Sequence, residues 1–261
     1  SANDTAMHPG DSGPEPVGWF SGEESIVQMV KEHIEVKFGK KHADVVVKFT
    51  FRSHKKEGNA KQLLGFPDEF HTPGRDWDVS GPLKNMKTLV NGKKVKSKVQ
   101  SGLLFIDFDR GKRAVTLSKE SENSEAGPAA WHVIEVDFPP GEDVTVERHY
   151  RANLGATAGG PNFFAYTTFT GGNWRGKIEK MTADIHLVDG LTADDVAIRG
   201  YTDGLGSPKL AGTTGDAKRL TDKHLQIVWE NFEPRDDPSK HGFSIDWWDP
   251  KLVKLLESGG E

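Results

Sequence analysis

The sequence contains no cysteine. This absence excludes disulfide bonds, thiolate metal sites and cysteine nucleophiles. It does not indicate a compartment, because many exported bacterial proteins also lack cysteine. Long hydrophobic runs are absent too, and no segment approaches the roughly 18 apolar residues that predict a transmembrane helix. The net charge is −5, so no overall positive field favours nucleic acid, and we expect no nucleic-acid partner.

Helical periodicity is scarce, and the dominant period is two. Alternation of apolar with polar residues is typical of antiparallel sheet with one buried face. It is clearest at 34–38, 45–51, 181–187 and 225–229, and further strands are predicted at 102–109, 113–118, 130–138, 143–152, 163–170, 195–201 and 243–248. We therefore predict an all-β fold, an antiparallel β-sandwich.

Turn and cap residues add detail to this fold. Asn91-Gly92 is a strong hairpin signal, and the lysines around it (Lys93, Lys94, Lys96 and Lys98) indicate an exposed arm protected from edge pairing by charge. A second hairpin turn is predicted at 107–113. Residues 25–31 suit either a helical turn or the start of the first strand. Asp249 and Pro250 predict the beginning of a short C-terminal helix.

Composition divides the chain into four segments. Residues 1–22 are rich in Pro, Gly, Ser and Asp, so we expect a flexible leader of the kind that begins a mature exported protein. Residues 23–152 are predicted to form a β-sandwich domain. Residues 153–248 form either a second packed β-domain, which we favour, or the second half of the same sandwich. Residues 249–261 are the short helix and tail.

The stretch "HPGDSGP" around Ser12 is one glycine short of the nucleophile loop of trypsin-like proteases. A serine nucleophile needs a histidine base and a carboxylate that orients the base. In trypsin-like proteases both precede the serine, but here only eleven residues do, so Ser12 is not a candidate. No nucleophile elbow and no phosphate-binding glycine motif occur elsewhere. We predict no catalytic residue and no cofactor.

Two pairs of polar residues have a spacing that suits metal ligands. His33 with Glu35, and Asp184 with His186, each lie two residues apart on a polar face, which is acceptable geometry for zinc. Neither pair has a third ligand that the sequence can nominate. Solvated residues on an outer sheet face are therefore the favoured interpretation, and no metal site is predicted. The pairs Asp194-Asp195 and Asp236-Asp237 are interpreted as turn residues.

Tryptophan is abundant, with seven residues. Trp131, Trp229 and Trp247 fall on apolar strand faces and are predicted to lie in the core. The candidate ligand-binding residues are Trp174 with Arg175, in a glycine-rich turn, and Trp248, on the polar face of its strand. Exposed indoles beside charged groups suit stacking on sugars or on protein loops. The alternative is that each loop indole, including that of Trp77, plugs an end of the sandwich or caps the core.

Several motifs resemble a family of uncharacterised exported bacterial proteins. The resemblance is carried by "EHIEVKFGKKHADVVVKFTFRS", "LLGFPDEF", "FFAYTTFTGGNWRGKIEKMTADIHL" and "IVWENFEP", and it covers roughly Glu32 to Ile245. The family's G-F-P-E segment has Asp68 here in place of Glu. The resemblance implies a β-sandwich that is secreted, periplasmic or on the cell surface. It implies no activity and no catalytic residues.

We therefore expect an extracytoplasmic, non-enzymatic binding or structural module of unknown ligand, with a glycan or a protein at the cell surface as its partner. This expectation depends on the absence of a recognisable nucleophile, metal-ligand set or cofactor motif, and partly on analogy with adhesive sandwich domains. The alternative is a glycan-acting hydrolase that uses carboxylates from separate strands.

Overall fold

The computed structural model describes residues 5–10, 13–16, 25–70, 82–107, 114–117, 125–156, 160–168, 174–199, 216–233 and 242–251. The first nine strands are β1 Thr5–Gly10, β2 Gly13–Pro16, β3 Val27–Phe38, β4 His42–Ser53, β5 Ala60–Phe70, β6 Lys84–Val90, β7 Lys93–Val95, β8 Lys98–Asp107 and β9 Ala114–Leu117. The other nine are β10 Glu125–Phe138, β11 Asp143–Asn153, β12 Gly155–Ala156, β13 Asn162–Thr167, β14 Ile178–Leu187, β15 Val196–Arg199, β16 Asp216–Thr221, β17 His224–Phe232 and β18 Gly242–Trp247. The all-β prediction is confirmed.

These strands form three sheets. The largest has eight strands in the order β16-β17-β14-β3-β4-β11-β6-β7. A second has six strands, β2-β1-β5-β10-β8-β9, and a third has four, β12-β13-β18-β15. Cα atoms of β2 and β9, the edges of the six-stranded sheet, approach within 8 Å of each other. The six-stranded sheet is therefore curled.

All described strand pairs are antiparallel except β3 with β14, which run parallel. The prediction of antiparallel pairing fails at this one position. The parallel pair lies in the middle of the eight-stranded sheet and joins strands from the two sides of the loop at 153–161. The division into 23–152 and 153–248 remains a prediction, but strands of both segments share this sheet.

The core lies between the inner face of the eight-stranded sheet and the two smaller sheets. Phe49 and Phe66 (ring centroids 6.5 Å apart) connect it to the six-stranded sheet. Trp229 and Phe243 (6.2 Å) connect it to the four-stranded sheet. Side chains that the alternation predicts to be apolar and inward, such as Ile34, are fully buried. Removing such side chains from water is the main force that holds the three sheets together.

A β-bulge in β3 alters the alternation at its beginning. The register with β4 shifts between Met29 and Lys31, so both Met29 and Val30 are buried and Glu32 then points inward. The Tyr166 hydroxyl donates a hydrogen bond to Glu32 Oε1 at 2.7 Å. Buried carboxylates require such partners, and this one joins the eight-stranded sheet to the four-stranded sheet.

The local predictions have mixed outcomes. Within the expected leader, 5–10 and 13–16 form β1 and β2, because β1 finds an edge to pair with on β5; Ser12 lies outside the described residues. Residues 27–31 belong to a strand, not a helical turn. Asn91 and Gly92 have φ of 48° and 75°, as the predicted tight hairpin requires.

Three further local predictions concern the lysines near the Asn-Gly turn, the second hairpin and the C-terminal helix. The lysines near the Asn-Gly turn are exposed, and β7 is an edge strand, as expected. β8 pairs with β9, as the second hairpin requires, although its turn lies outside the described residues. Pro250 and Lys251 are helical, and the Lys251 N–H donates to Asp249 Oδ1 at 2.9 Å, as an N-cap requires. The rest of the predicted C-terminal helix lies outside the described residues. In the described part of the chain, we find no helix with the length and apolarity needed to cross a membrane.

Candidate functional site

A cluster of polar side chains, three of them imidazoles, lies on the outer face of the eight-stranded sheet. We call it the histidine cluster and define it as His33 on β3, Asp184 and His186 on β14, and His224 and Gln226 on β17. These three strands are neighbours in the sheet. Their inward residues are apolar and buried, so strand alternation directs the five cluster residues to the outer face.

Asp184 is the centre of the cluster. His33 Nε2 lies 2.9 Å from Asp184 Oδ2, and His224 Nε2 lies 2.7 Å from Oδ1. Gln226 Nε2 donates to the same Oδ1 at 3.0 Å. The Asp184 side chain is only 15% exposed, whereas that of His33 is 46% exposed. The carboxylate is therefore an internal anchor, and the imidazoles are the groups that face solvent.

The electrostatics favour an ionised anchor. Burial raises the pKa of Asp184, but the hydrogen bonds from His33, His224 and Gln226 outweigh burial and hold the pKa below its ordinary value. An ionised carboxylate only accepts hydrogen bonds, so both histidines must carry a proton on Nε2. A neutral His33 in this arrangement presents Nδ1 as an acceptor, and a protonated one presents it as a donor.

A third imidazole ring, that of His186, extends the cluster. The His186 and His224 rings stack with centroids 4.3 Å apart and an interplanar angle of 28°. This contact fixes the orientation of His224, whose Nε2 is already held by Asp184. Together the residues form a polar surface made from three strands, whose side chains can donate and accept hydrogen bonds.

The neighbouring half of the same outer face is built differently. On β4 and β11, Arg151 donates two hydrogen bonds to Asp44, at 2.7 and 2.9 Å. Arg52 pairs with Asp143 in the same two-bond manner. We call these two pairs the arginine ladder. In each pair, two N–H donors of the guanidinium bond both oxygens of the carboxylate, so each charge faces its partner.

The ligand-binding residues predicted from sequence lie elsewhere and are not brought together into one exposed surface. Trp174 is 2% exposed and packs against Phe51 with ring centroids 4.7 Å apart. Its indole belongs to the core, so it cannot offer the proposed stacking surface. Arg175 is exposed, and its backbone N–H donates to Val27 O at 3.0 Å. Trp248 is half-buried, next to a buried Trp247.

The other tryptophans follow the prediction where the structure describes them. Trp131 and Trp229 are buried, as expected from their apolar strand faces, while Trp77 lies outside the described residues. Asp195 accepts a hydrogen bond from the Thr192 N–H within its own turn, and Asp194 accepts one from Arg219 on β16. Asp236 and Asp237 lie outside the described residues.

Among the side chains that the structure describes, no group of three or more His, Asp or Glu residues is placed to hold a metal ion.

The sequence analysis identifies three of the five cluster residues. It assigns His33, Asp184 and His186 to polar strand faces, but as two separate pairs, His33 with Glu35 and Asp184 with His186. The parallel pairing of β3 with β14 brings them together, and β17 adds His224. No local pattern in the sequence indicates a parallel pair between strands so distant in the chain.

Comparisons with known proteins give the fold only. No protein-family model matches the chain, and no curated protein matches it. A solved structure of a candidate nutrient-binding protein from Legionella pneumophila is similar with a TM-score of 0.61 and 13% identity, over 98% of this chain and 73% of that one. This likeness shows a shared fold.

Two enzymes give weaker matches. An M1 zinc metallopeptidase from Deinococcus radiodurans has a TM-score of 0.39 and 8% identity, over 84% of this chain and 42% of that one. Leukotriene A4 hydrolase from Saccharomyces cerevisiae has a TM-score of 0.39 and 10% identity, over 84% and 29%. This chain spans less than half of each enzyme, and at these TM-scores the likeness carries no argument.

Proposed function

We propose that this protein is an extracytoplasmic binding module that holds a small polar ligand on the histidine cluster. The observation that carries the proposal is the arrangement of His33 and His224 around Asp184, with partly exposed rings held by three adjacent strands. The shared fold with a candidate nutrient-binding protein over 98% of this chain supports a small ligand. The comparisons give no support to the glycan or protein partner expected from sequence.

The location outside the cytoplasm is part of the same proposal. It is supported by the resemblance of the strand motifs to exported bacterial proteins.

The chemistry of the cluster indicates the kind of ligand. Imidazoles donate or accept hydrogen bonds according to their protonation, and Gln226 adds an amide. Apolar ligands gain little on such a surface, because they would desolvate polar groups without replacing their hydrogen bonds. We therefore expect a solute with its own donors and acceptors, such as an amino acid, a carboxylic acid, a monosaccharide or inorganic phosphate.

A thermal-shift panel of these four solute classes tests the proposal. A ligand at 100 times its Kd stabilises the folded state by about 2.7 kcal/mol, which raises the Tm by several degrees. We expect a shift with at least one class in the wild type, and its loss in the double variant His33→Gln/His224→Gln.

The matched control is His149→Gln, which changes a partly exposed histidine on β11, on the same outer face but outside the cluster. It should keep the shift. The proposal is wrong if no class changes the Tm, or if the shift survives in the double variant.

A further inference from the structure

A second polar constellation, outside the histidine cluster, joins three separate segments. It consists of Asp68 on β5, His132 on β10, and Ser97 in the two-residue connection between β7 and β8. Ser97 Oγ lies 3.3 Å from His132 Nδ1, and His132 Nε2 lies 3.4 Å from Asp68 Oδ2. The order serine, imidazole, carboxylate is the order required for an activated serine nucleophile.

The local fold explains how the three residues meet. The register of β5 with β10 shifts so that Ala130 pairs with Glu69 and Trp131 with Pro67, which leaves Asp68 as the extra residue of a β-bulge. Bulges re-aim side chains and are over-represented next to active sites. The connection at 96–97 carries the chain from the edge of the eight-stranded sheet to the six-stranded sheet, and it presents Ser97 to His132.

Burial and orientation match the roles in such a site. The Asp68 carboxylate is 11% exposed, and its Oδ1 accepts a hydrogen bond from the Leu83 N–H at 2.6 Å, which fixes the carboxylate. His132 is 8% exposed, and its Nε2 is buried without a hydrogen bond within the described residues. A buried nitrogen in this state is costly and calls for an explanation. Ser97 is half-buried, whereas His132 is buried.

We propose that Ser97, His132 and Asp68 form an acyl-transfer site that hydrolyses small carboxylic esters. His132 Nδ1 accepts the Ser97 proton, while Nε2–H faces Asp68. The His132 Nε2 and Asp68 Oδ2 atoms are 3.4 Å apart, a separation that is acceptable for a catalytic pair. This activity is additional to ligand binding on the histidine cluster.

The reaction balances without a cofactor. Ser97 Oγ attacks the ester carbonyl carbon, and its proton passes to His132 Nδ1. The bond from the acyl carbon to the alcohol oxygen breaks, and the alcohol leaves with that proton. A water molecule then gives a proton to His132 and attacks the acyl-serine. The acid is released, and the proton returns to Ser97.

The charges around Ser97 narrow the substrate class. Lys96 and Lys98 flank the serine and are exposed, and Lys93 and Lys94 lie on the preceding strand. This positive surface attracts an ester whose acyl part carries a carboxylate, such as a monoester of a dicarboxylic acid.

Labelling and hydrolysis together test the site. The wild-type chain is incubated with a fluorophosphonate probe, and the modified peptide is located by mass spectrometry. Hydrolysis is followed with p-nitrophenyl acetate and with the p-nitrophenyl monoester of succinic acid. We expect the label on Ser97, turnover of both esters, and a higher kcat/KM for the succinate ester.

The variants separate the roles. Ser97→Ala and His132→Gln should reduce hydrolysis to the rate in buffer, and Asp68→Asn should reduce kcat by about 100-fold or more, because the carboxylate orients the base. Ser244→Ala is the matched control. Ser244 on β18 is also a half-buried serine, but its hydroxyl donates to Asp246 and it lies outside the site, so this variant should keep both label and turnover.

Three results would overturn the proposal. These are a probe that leaves Ser97 unmodified in the folded wild type, label on Ser97 without turnover, and hydrolysis that persists in Ser97→Ala. Equal kcat/KM for the two esters would overturn the assignment of an anionic substrate. The wild-type labelling needs no variant, so a misfolded variant does not obscure the result.

Discussion

The two halves of the outer face of the eight-stranded sheet neutralise their carboxylates in different ways. On β4 and β11, Asp44 and Asp143 are each held by a guanidinium, in two-bond pairs that are about 40% exposed. On β3, β14 and β17, Asp184 is held by two imidazoles and an amide and is more deeply covered. Both halves are polar surfaces, but one is held by guanidinium groups and the other by imidazoles and an amide.

The arginine ladder and the histidine cluster therefore differ in their hydrogen-bonding chemistry. Arginine remains charged at every accessible pH and donates in a fixed fork, so the arginine ladder connects β4 and β11 under all conditions. Histidine can gain or lose a proton near neutral pH and changes between donor and acceptor. The same sheet therefore has one half held by fixed two-bond pairs and another half whose side chains can act as either donors or acceptors toward a ligand.

The largest effect is expected from Asp184→Asn. The amide leaves the geometry almost unchanged but removes the charge that His33 and His224 face. Hydrogen bonds to charged groups contribute about 1.5–3 kcal/mol each when well covered, so we expect a loss of about 2 kcal/mol in the free energy of unfolding, measured with urea. Asp44→Asn in the arginine ladder should lose less, because that pair is more exposed. An equal loss in both variants would remove the contrast between the halves.

Acid should reduce the contribution of the Asp184 carboxylate to the free energy of unfolding. Since the folded pKa of Asp184 is held below its ordinary value of 3.8, the ionised carboxylate stabilises the fold at any pH above that value. The contribution is lost as the pH falls through the lowered folded pKa. Urea unfolding of wild type and Asp184→Asn at pH 7 and at decreasing pH below about 4 should show their difference shrinking. A difference that grows in acid would contradict this assignment.

A smaller effect is expected from Arg151→Lys. Lysine keeps the charge but cannot form the two parallel bonds to Asp44. The variant should be slightly less stable than wild type at low salt, and the difference should diminish at about 1 M salt because exposed pairs are screened. Lys48→Arg, a change at an exposed single contact with Glu147, is the control and should change little. A loss for Arg151→Lys that exceeds that of Asp184→Asn would reverse the comparison.

The smallest effect on stability is expected from His186→Phe. The phenyl ring can keep the stacking on His224, so the free energy of unfolding should change by less than about 0.5 kcal/mol, as for most surface substitutions. If the histidine cluster binds a polar ligand, the thermal shift with that ligand should nevertheless weaken, because one polar ring is lost. An unchanged ligand shift would remove His186 from the binding surface.

Strand alternation predicts which side of the sheet a residue faces, and here it does so well. Ile34 and Trp229 lie in the core, and His33 and Asp184 face outward, as the period of two requires. It fails where a bulge changes the phase, since Met29 and Val30 are adjacent in the chain and both buried. It gave no information about Trp174, because a glycine-rich turn has no period, and the contact with Phe51 decides its burial.

Alternation contains no information about which strands are neighbours. The histidine cluster and the Ser97 site each combine residues from three segments, and each depends on pairings that only the whole fold decides. Short turns such as Asn91-Gly92 specify a local pair, and the sequence predicts that hairpin correctly. The parallel pair and the bulge at Asp68 have no comparable local signal.

The parallel pair of β3 and β14 also constrains the order in which this chain can become folded. Until residue 187 has left the ribosome, β3 can complete its pairing with β4 but has no partner on its other side. The N–H and C=O groups of that side are then a template for a strand of another chain. A fragment ending at residue 153 should therefore associate with itself, while the complete chain covers the same edge from within. Slow formation of this distant contact is the step at which synthesis of the protein is most exposed to aggregation.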